Sequence, residues 1–331
     1  MDFWQKRGPL ALTLWPLSLI FRGLAGLRRR LYRHGLLKSY RAPVPVIVVG
    51  NISVGGTGKT PVVIALLEYL KAQGWHPGVV SRGYGGSHRG APLLLGAATT
   101  AAQSGDEPAL IRERSGCPVC VGSDRAAAVQ TLLAGSDTDV IITDDGLQHY
   151  RLQRDVEIVV CDAQRGHGNG FCLPAGPLRE PVSRLHSVDY VLQNSGSVAR
   201  PDLPGNVYLR PDTLRPLNGL GRDPQTLGPQ PVFAVAGTAS PARFFATLAQ
   251  LGFSVTPVVF PDHHAFCAQD FAALQGMPLV MTEKDAVKCR DLGLKDAWVL
   301  PVSAQLPETL TELLAQRLSG LRPASKGTSD E

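Results

Sequence analysis

The stretch Val46-Ile-Val-Val-Gly-Asn-Ile-Ser-Val-Gly-Gly-Thr-Gly-Lys-Thr-Pro61 predicts the fold of the first half of this chain. It opens with a short β-branched run, Val46 to Val49, which is typical of a strand covered on both faces. A glycine-rich loop follows. From Pro61 the residues are helical in pattern, and a proline near the first turn is tolerated because its missing N–H would have no partner there. A strand, a glycine-rich turn and a helix in this order indicate an α/β fold that binds phosphate.

The loop that joins this strand to the helix carries the chemistry of anion binding. Glycines let successive backbone N–H groups converge on a phosphate, and the helix N-terminus adds its dipole. Lys59 can then reach the β- and γ-phosphates of a nucleotide, and Thr60 can place its hydroxyl on Mg²⁺. The first position of the G-x-x-x-x-G-K-[ST] pattern is Ser53 here, but an ordinary glycine-rich turn has no need of a Lys-Thr pair. The predicted nucleotide-binding residues are Ser53, Val54, Gly55, Gly56, Thr57, Gly58, Lys59 and Thr60.

Charge is unevenly spread along the 331 residues, which carry a formal net charge of +5. Residues 1–45 contain nine Lys or Arg and a single acidic residue, Asp2, so this segment carries +8 and the remainder −3. A hydrophobic content of 44% is ordinary for a globular protein. Cys117 and Cys120 have metal-ligand spacing, but no second Cys/His pair follows nearby, so we interpret the six scattered cysteines as thiols of a reducing compartment.

The N-terminus combines this basic charge with an apolar stretch. Residues 8–21 are uncharged and mostly apolar, and Arg28, Arg29 and Arg30 follow them. Fourteen residues are fewer than the roughly 20 that span a bilayer, and arginines stand where a signal peptide would have a cleavage site. We predict an interfacial or partly inserted anchor on an anionic membrane surface. A soluble amphipathic helix packed on the domain, and a single span that includes Arg22, are the alternatives.

A second apolar strand ends in two carboxylates, Asp144 and Asp145, about 90 residues after the glycine loop. This is the arrangement in which a strand-end aspartate holds Mg²⁺ directly or through water. Asp-Gly also marks turns, so a surface turn is the alternative. Taken alone, Asp106 in Ser104-Gly-Asp-Glu-Pro108 reads as a helix cap.

Strand and helix patterns alternate to the C-terminus, with a loose Pro- and Gly-rich stretch from Arg215 to Pro231. We therefore predict two α/β/α units, the first a P-loop NTPase-like domain, with an N-terminal membrane-associated helix. The predicted boundaries are a membrane-associated segment at 1–30, the P-loop domain at 31–220, a smaller C-terminal α/β domain at 221–321 and a disordered tail at 322–331. Within the smaller unit the pattern predicts a helix at 266–274.

A set of motifs now identifies a family that this chain resembles, tetraacyldisaccharide 4′-kinase, the lipid A 4′-kinase of Gram-negative bacteria. The motifs follow the family's order and cover nearly the whole chain. They are Val48-Val-Gly-Asn-Ile-Ser-Val-Gly-Gly-Thr-Gly-Lys-Thr-Pro61, Ser81-Arg-Gly-Tyr84, Gly105-Asp-Glu-Pro108, Asp144-Asp-Gly-Leu-Gln-His149, Leu173-Pro-Ala-Gly-Pro-Leu-Arg-Glu-Pro181, Phe260-Pro-Asp-His-His264 and Thr282-Glu-Lys-Asp-Ala-Val-Lys288.

The resemblance implies an enzyme that transfers the γ-phosphate of ATP to the 4′-hydroxyl of tetraacyldisaccharide 1-phosphate, giving lipid IVA, with its site in the cleft between the two units. It also implies a monotopic protein at the cytoplasmic face of the inner membrane, with a lipid disaccharide and the anionic membrane surface as partners. Neither nucleic acid nor an obligatory protein partner is expected.

The family's site residues can be carried over position by position. Asp106 would be the base for the sugar hydroxyl, with His263 as its partner, and Lys59 would act on the phosphates. Lys284 and Asp285 match a family motif at the cleft, and Arg179 would lie near the phosphates. The metal set implied by the resemblance is Thr60, Asp144, Asp145, Gln148 and Glu180.

Two other readings are open to the sequence. A soluble P-loop switch ATPase or a GTPase of the metallochaperone type shares the Gly-Gly-Thr-Gly-Lys-Thr string, although many such proteins carry lysine where this chain has Val54. Such a protein also has no need of a basic apolar N-terminus. A membrane-bound nucleotide-binding scaffold without catalysis would tolerate the loss of Asp106 and His263.

Overall fold

The computed structural model describes residues 2–218 and 227–321 and contains two sheets. The strands, in chain order, are β1 (Val46–Gly50), β2 (Pro77–Ser81), β3 (Leu93–Leu94), β4 (Val119–Val121), β5 (Val140–Asp144), β6 (Val156–Asp162), β7 (Tyr190–Asn194), β8 (Asn206–Pro211), β9 (Arg215–Pro216), β10 (Pro231–Ala236), β11 (Ser254–Val259), β12 (Leu279–Thr282), β13 (Ala297–Leu300) and β14 (Val302–Gln305). The helices are α1 (Pro9–Arg33), α2 (Lys59–Ala72), α3 (Ala101–Ser104), α4 (Asp106–Ser115), α5 (Arg125–Ala134), α6 (Pro241–Gln250), α7 (Glu283–Cys289) and α8 (Glu308–Ser319).

Strand β1 lies inside the larger sheet, whose order is β14-β8-β7-β6-β1-β5-β2-β4-β3. It pairs in parallel with β5 on one side and β6 on the other. All five of its residues are buried, as are those of β2 and β5, because helices cover both faces of the sheet. Parallel strands end at the same edge, so the residues that follow β1, β2, β5 and β6 converge there. The predicted mixed α/β fold with parallel sheets is confirmed.

The smaller sheet has the order β11-β10-β12-β13-β9 and its own core on each face. Strands β10 to β13 are parallel, and β9 adds an antiparallel edge. Strand β9 precedes the predicted domain boundary at 220/221, which itself lies outside the described residues, as does the predicted tail at 322–331. The polypeptide therefore enters the smaller sheet before that boundary.

The chain returns to the larger sheet after β13, which differs from the predicted extent of the smaller unit. Strand β14 pairs antiparallel with β8, and α8 buries Leu310, Leu314 and Leu318 in the core of the larger unit. The sequence interpretation kept these residues with the smaller unit. An amphipathic helix presents the same apolar stripe whichever sheet it covers, so its pattern does not reveal its partner.

The helix predicted at 266–274 is wrong, because only a 3-10 turn at Ala268–Phe271 forms there. Asp270 accepts hydrogen bonds from the Cys267 N–H at 2.9 Å and from His264 Nε2 at 3.0 Å. Such local side-chain hydrogen bonds compete with a helix. Phe266 and Phe271 still reach the core of the smaller unit.

Helix α1 has 25 residues and is, within 2–218 and 227–321, the one helix long and apolar enough to cross a membrane by length and composition. Only Ala11 and Ser18 in it are buried. It leaves eight large apolar side chains exposed: Leu10, Leu12, Trp15, Leu17, Leu19, Ile20, Leu24 and Leu27. The segment before it is fastened to the larger unit, since Trp4 Nε1 donates to the Pro174 carbonyl at 3.1 Å and Arg7 Nε to the Asn169 carbonyl at 3.0 Å.

Candidate active site

The glycine loop runs from the end of β1 to the first residue of α2. Gly55 and Gly58 have φ of +102° and +80°, a region that side chains other than glycine rarely adopt. Asn51 Nδ2 lies 3.3 Å from the Gly55 carbonyl and 3.4 Å from Thr57 Oγ1, which holds the loop curled. Lys59 and Thr60 are thereby the first two residues of α2. The loop and the helix N-terminus together form a site suited to an anion such as a phosphate chain.

Two contacts brace this loop from behind, and sequence reasoning missed both. Asn194, fully buried at the end of β7, donates from Nδ2 to the Thr57 carbonyl at 2.8 Å. A Cβ on Gly58 would lie 2.1 Å from that nitrogen, so only glycine fits there. Val54 N–H donates to the Pro177 carbonyl at 2.8 Å. The signal available was that Asn194 directly follows the strand pattern Val188-Asp-Tyr-Val-Leu-Gln193, because strand ends face the ligand in open α/β sheets.

The two strand-end aspartates of β5 occupy different environments. Asp144 is 1% exposed, and Ser81 Oγ lies 3.4 Å from its Oδ2, whereas its Oδ1 has no hydrogen-bond partner in the described structure. Burial, reinforced by the negative charge of Glu107, raises the pKa of Asp144 to about 7. A buried carboxylate with an unpartnered oxygen and a raised pKa is a suitable site for a cation.

Asp145, by contrast, is held by two cations and adopts a positive φ of 52°. Its carboxylate lies 3.4 Å from Lys59 Nζ and 2.9 Å from Arg179 Nη1. Burial alone would raise the pKa of Asp145, but the charges of Lys59 and Arg179 outweigh it and hold that pKa below its usual value. The glycine-loop lysine is therefore tied to the second aspartate.

Gln148 and Glu180 form a polar network beside Asp145. Gln148 Nε2 donates to the Asn51 carbonyl at 3.0 Å and to Glu180 Oε1 at 2.9 Å. The other Glu180 oxygen accepts from the Tyr150 hydroxyl and lies 3.3 Å from Arg184 Nε. Both oxygens of Glu180 are thus engaged. Its predicted role as a metal ligand stays a prediction.

The predicted base and its partner meet across the cleft, although they are 157 residues apart in sequence. Asp106 is the first residue of α4 in the larger unit and is 6% exposed. Its Oδ2 lies 3.1 Å from Nδ1 of His263, which comes from the smaller unit and has a φ of +61°. Lys288 Nζ, on α7, lies 3.5 Å from the same oxygen. The carboxylate is therefore ordered by a ring nitrogen and a cation, the arrangement of a positioned proton acceptor.

The Lys and Asp of the Thr-x-Lys-Asp motif have different roles, since Lys284 lies at the cleft and Asp285 lies inside the smaller unit. Lys284 Nζ lies 3.2 Å from Asp262, 3.4 Å from Glu107 and 3.4 Å from His263 Nε2, so it bridges the two units. Burial would lower the pKa of Lys284, but the surrounding carboxylates raise it. Asp285 is fully buried and accepts from the Gly237 N–H at 2.9 Å, a structural position.

The donor set around the glycine loop fits Mg²⁺ rather than a metal enclosed by protein ligands. Residues 2–218 and 227–321 contain no cluster of three or more His, Cys, Asp or Glu side chains arranged to hold a metal. Magnesium usually keeps several waters and binds through one or two carboxylates plus substrate phosphates. Asp144 can supply one such carboxylate, because its buried Oδ1 has no hydrogen-bond partner among the described residues. Sequence reasoning missed that the negative charge of Glu107 helps to raise the pKa of Asp144, although Glu107 directly follows the predicted base.

Comparison with known proteins identifies close relatives over the whole chain. A family model described as tetraacyldisaccharide-1-P 4′-kinase matches residues 10–319. The tetraacyldisaccharide 4′-kinase of Aeromonas salmonicida is 51% identical over 99% of this chain and 98% of its own length. That of Azoarcus sp. is 50% identical over 97% and 96%. The structure of LpxK from Aquifex aeolicus in complex with ATP superposes with a TM-score of 0.75 at 27% identity, over 93% of this chain and 99% of that one.

Proposed function

The chain belongs to the tetraacyldisaccharide-1-P 4′-kinase family, and from this premise we propose that Asp106 and His263 take the proton from the 4′-hydroxyl of the lipid disaccharide during phosphoryl transfer. The protein is a kinase of lipid A biosynthesis that uses ATP. The switch-ATPase reading is not supported, because relatives at about 50% identity over nearly the full length are tetraacyldisaccharide 4′-kinases.

The glycine loop would hold the phosphates of ATP. Residues 53–60 offer their N–H groups at the start of α2, and Lys59, which pairs with Asp145 in this structure, would turn to the β- and γ-phosphates. Asp145 retains Arg179 as its partner when Lys59 leaves. Thr60, Asp144 and Asp145, with Gln148 and Glu180 beside them, would hold Mg²⁺. When bound, this ion would neutralise charge on the transferring phosphoryl group.

Asp106 would serve as the base because two neighbouring groups position its carboxylate. His263 Nδ1 at 3.1 Å and Lys288 Nζ at 3.5 Å hold the carboxylate in place before transfer. The proton of the sugar hydroxyl passes to Asp106 as the oxygen–phosphorus bond forms. The single observation that carries this proposal is the contact between Asp106 and His263. The two residues come from different units, so the contact lies in the cleft where ATP and the sugar would meet.

Helix α1 would bring this site to the membrane surface. Its exposed leucines can enter the interfacial region, while the basic residues of the same segment meet anionic head groups. The acyl chains of the substrate then stay in the bilayer while the sugar is phosphorylated. We place the protein as a monotopic enzyme at the cytoplasmic face of the inner membrane, where ATP is available.

The test is transfer of label from γ-labelled ATP to tetraacyldisaccharide 1-phosphate in detergent micelles, with and without Mg²⁺. We expect label in the lipid only when Mg²⁺ is present, and at least a hundredfold less with Asp106→Asn. ATP hydrolysis without label in the lipid would contradict the proposal. Unchanged turnover of Asp106→Asn would remove that residue as the base.

A further inference from the structure

Arg165, in the loop after β6, places its guanidinium directly on the glycine loop. A Cβ built on Gly55 would lie 3.0 Å from Nη1, 3.3 Å from Nη2 and 3.6 Å from Cζ of Arg165. Gly55 therefore leaves room for this side chain as well as supplying a positive φ. A cation in contact with a phosphate-binding loop lies within reach of any phosphate chain held there.

Arg165 is exposed, and its guanidinium has no ion pair or hydrogen bond to any residue of 2–218 or 227–321. Four other arginines around the cleft are engaged. Arg125 donates to the Gly122 carbonyl, Arg179 to Asp145, Arg184 to Glu157 and Arg243 to Asp162. Arg165 can thus bind an incoming anion without breaking an existing interaction, whereas each of these four arginines would have to give one up.

The backbone that carries Arg165 is fixed while its side chain is free. Asp162, at the end of β6, is 3% exposed, and its Oδ1 accepts from the N–H groups of Gln164 and Arg165, each at 3.0 Å. The same oxygen lies 2.6 Å from Nη2 of Arg243, on α6 of the smaller unit. This anchor resists displacement of the loop, so a movement of the guanidinium needs only side-chain rotation.

We propose that Arg165 is a further catalytic residue, an arginine supplied by the chain itself that contacts the γ-phosphoryl group during transfer. The inference rests on the proposed function. The 4′-oxygen forms a bond to the γ-phosphorus, and the bond from that phosphorus to the β,γ-bridging oxygen breaks. Its electron pair stays on ADP, and the hydroxyl proton passes to Asp106. Arg165 donates N–H groups to γ-phosphoryl oxygens as charge redistributes, which stabilises the transition state more than bound ATP.

The experiment compares Arg165→Ala, Arg165→Lys and the wild-type enzyme in the label-transfer assay. The matched control is Arg200→Ala, which removes an exposed arginine whose ion pair, within the described part of the chain, is with Asp202 at the surface. We expect kcat of Arg165→Ala to fall about 10³-fold, with the Kd for ADP changed less than about threefold. Arg165→Lys should stay impaired, because an ammonium group does not reproduce the planar fork of guanidinium. Added guanidinium ion should restore activity at least tenfold in Arg165→Ala and leave Arg200→Ala unchanged.

Two results would overturn the assignment of Arg165. One is a kcat within threefold of wild type in Arg165→Ala. The other is a loss of kcat and ADP affinity together without guanidinium rescue, which a purely structural role would produce. If the wild-type enzyme transfers no label, the proposed function itself fails. If it transfers label normally while Arg165→Ala is unimpaired, only this inference fails.

Discussion

Gly58→Ala is the substitution whose effect the structure specifies most closely. The alanine would have to adopt a φ near +80°, which costs an L-residue about 1–2 kcal/mol. Its Cβ would also lie 2.1 Å from Asn194 Nδ2, so the fully buried Asn194 must move and release the Thr57 carbonyl that it holds at 2.8 Å. A buried hydrogen bond broken in this way costs a further 1–3 kcal/mol, roughly. We expect the free energy of unfolding to fall by about 3 kcal/mol.

The assay is urea unfolding followed by circular dichroism and tryptophan fluorescence, with ATP affinity measured on the folded protein. Gly293→Ala is the matched control, because Gly293 also has a positive φ of 64° but no atom of residues 2–218 or 227–321 lies within 4 Å of the position its Cβ would take. The free energy of unfolding of Gly293→Ala should fall only by the cost of the positive φ, about 1–2 kcal/mol. ATP affinity should fall in Gly58→Ala and stay unchanged in Gly293→Ala, since only the first displaces the glycine loop.

A double-mutant cycle with Asn194→Ala separates the clash from the backbone cost. In an Asn194→Ala background the displaced amide is absent, so Gly58→Ala should cost about 1–2 kcal/mol less than in the wild-type protein. Additive effects of the two substitutions, or a Gly58→Ala protein as stable as Gly293→Ala, would refute the reasoning that Asn194 fits against this glycine.

Three further predictions concern the base, the pH dependence and the membrane helix. Asp106→Asn and His263→Ala should each lower kcat by about 10²–10⁴-fold with KM for ATP little changed, and the double variant should be no slower than Asp106→Asn; multiplying defects would show that the two act separately. Burial raises the pKa of Glu157, but Arg184, whose Nη2 donates to both carboxylate oxygens at 2.7 Å, outweighs burial and lowers that pKa. That pair therefore adds stability above the unfolded pKa of 4.5, which is lost as the pH falls through the lower folded value. Glu157→Gln should lower the free energy of unfolding, measured with urea at pH 7, by about 3 kcal/mol. The difference in this free energy between the variant and the wild type should become smaller below pH 4.5, and a difference that stays constant with pH would contradict the prediction. Replacing three exposed leucines of α1 by glutamine should abolish flotation of the protein with anionic vesicles while its ATP affinity persists. The three are Leu12, Leu17 and Leu24. Undiminished flotation would exclude the membrane-anchor role of α1.

Features that depend on a short stretch of sequence were predictable. The β-branched run of β1, the glycines that follow it and the Lys-Thr pair predict a strand, a phosphate loop and a helix start, because each follows from local backbone preference. The carboxylates after β5 were predictable for the same reason, since a strand end and its polar residues are adjacent in sequence. Motifs spread along the chain also indicated the family, which the comparisons confirm.

Contacts between distant segments were decided only by the tertiary structure. Asp106 reads locally as a helix cap, and its contact with His263 appears only when the two units meet. The return of β14 and α8 to the larger sheet, the fit of Asn194 against Gly58 and the contact of Arg165 with Gly55 likewise join segments far apart in sequence. The physical reason is that a residue's local pattern reports its own backbone preference and burial. Which partner satisfies that preference depends on how the sheets and helices are assembled in space.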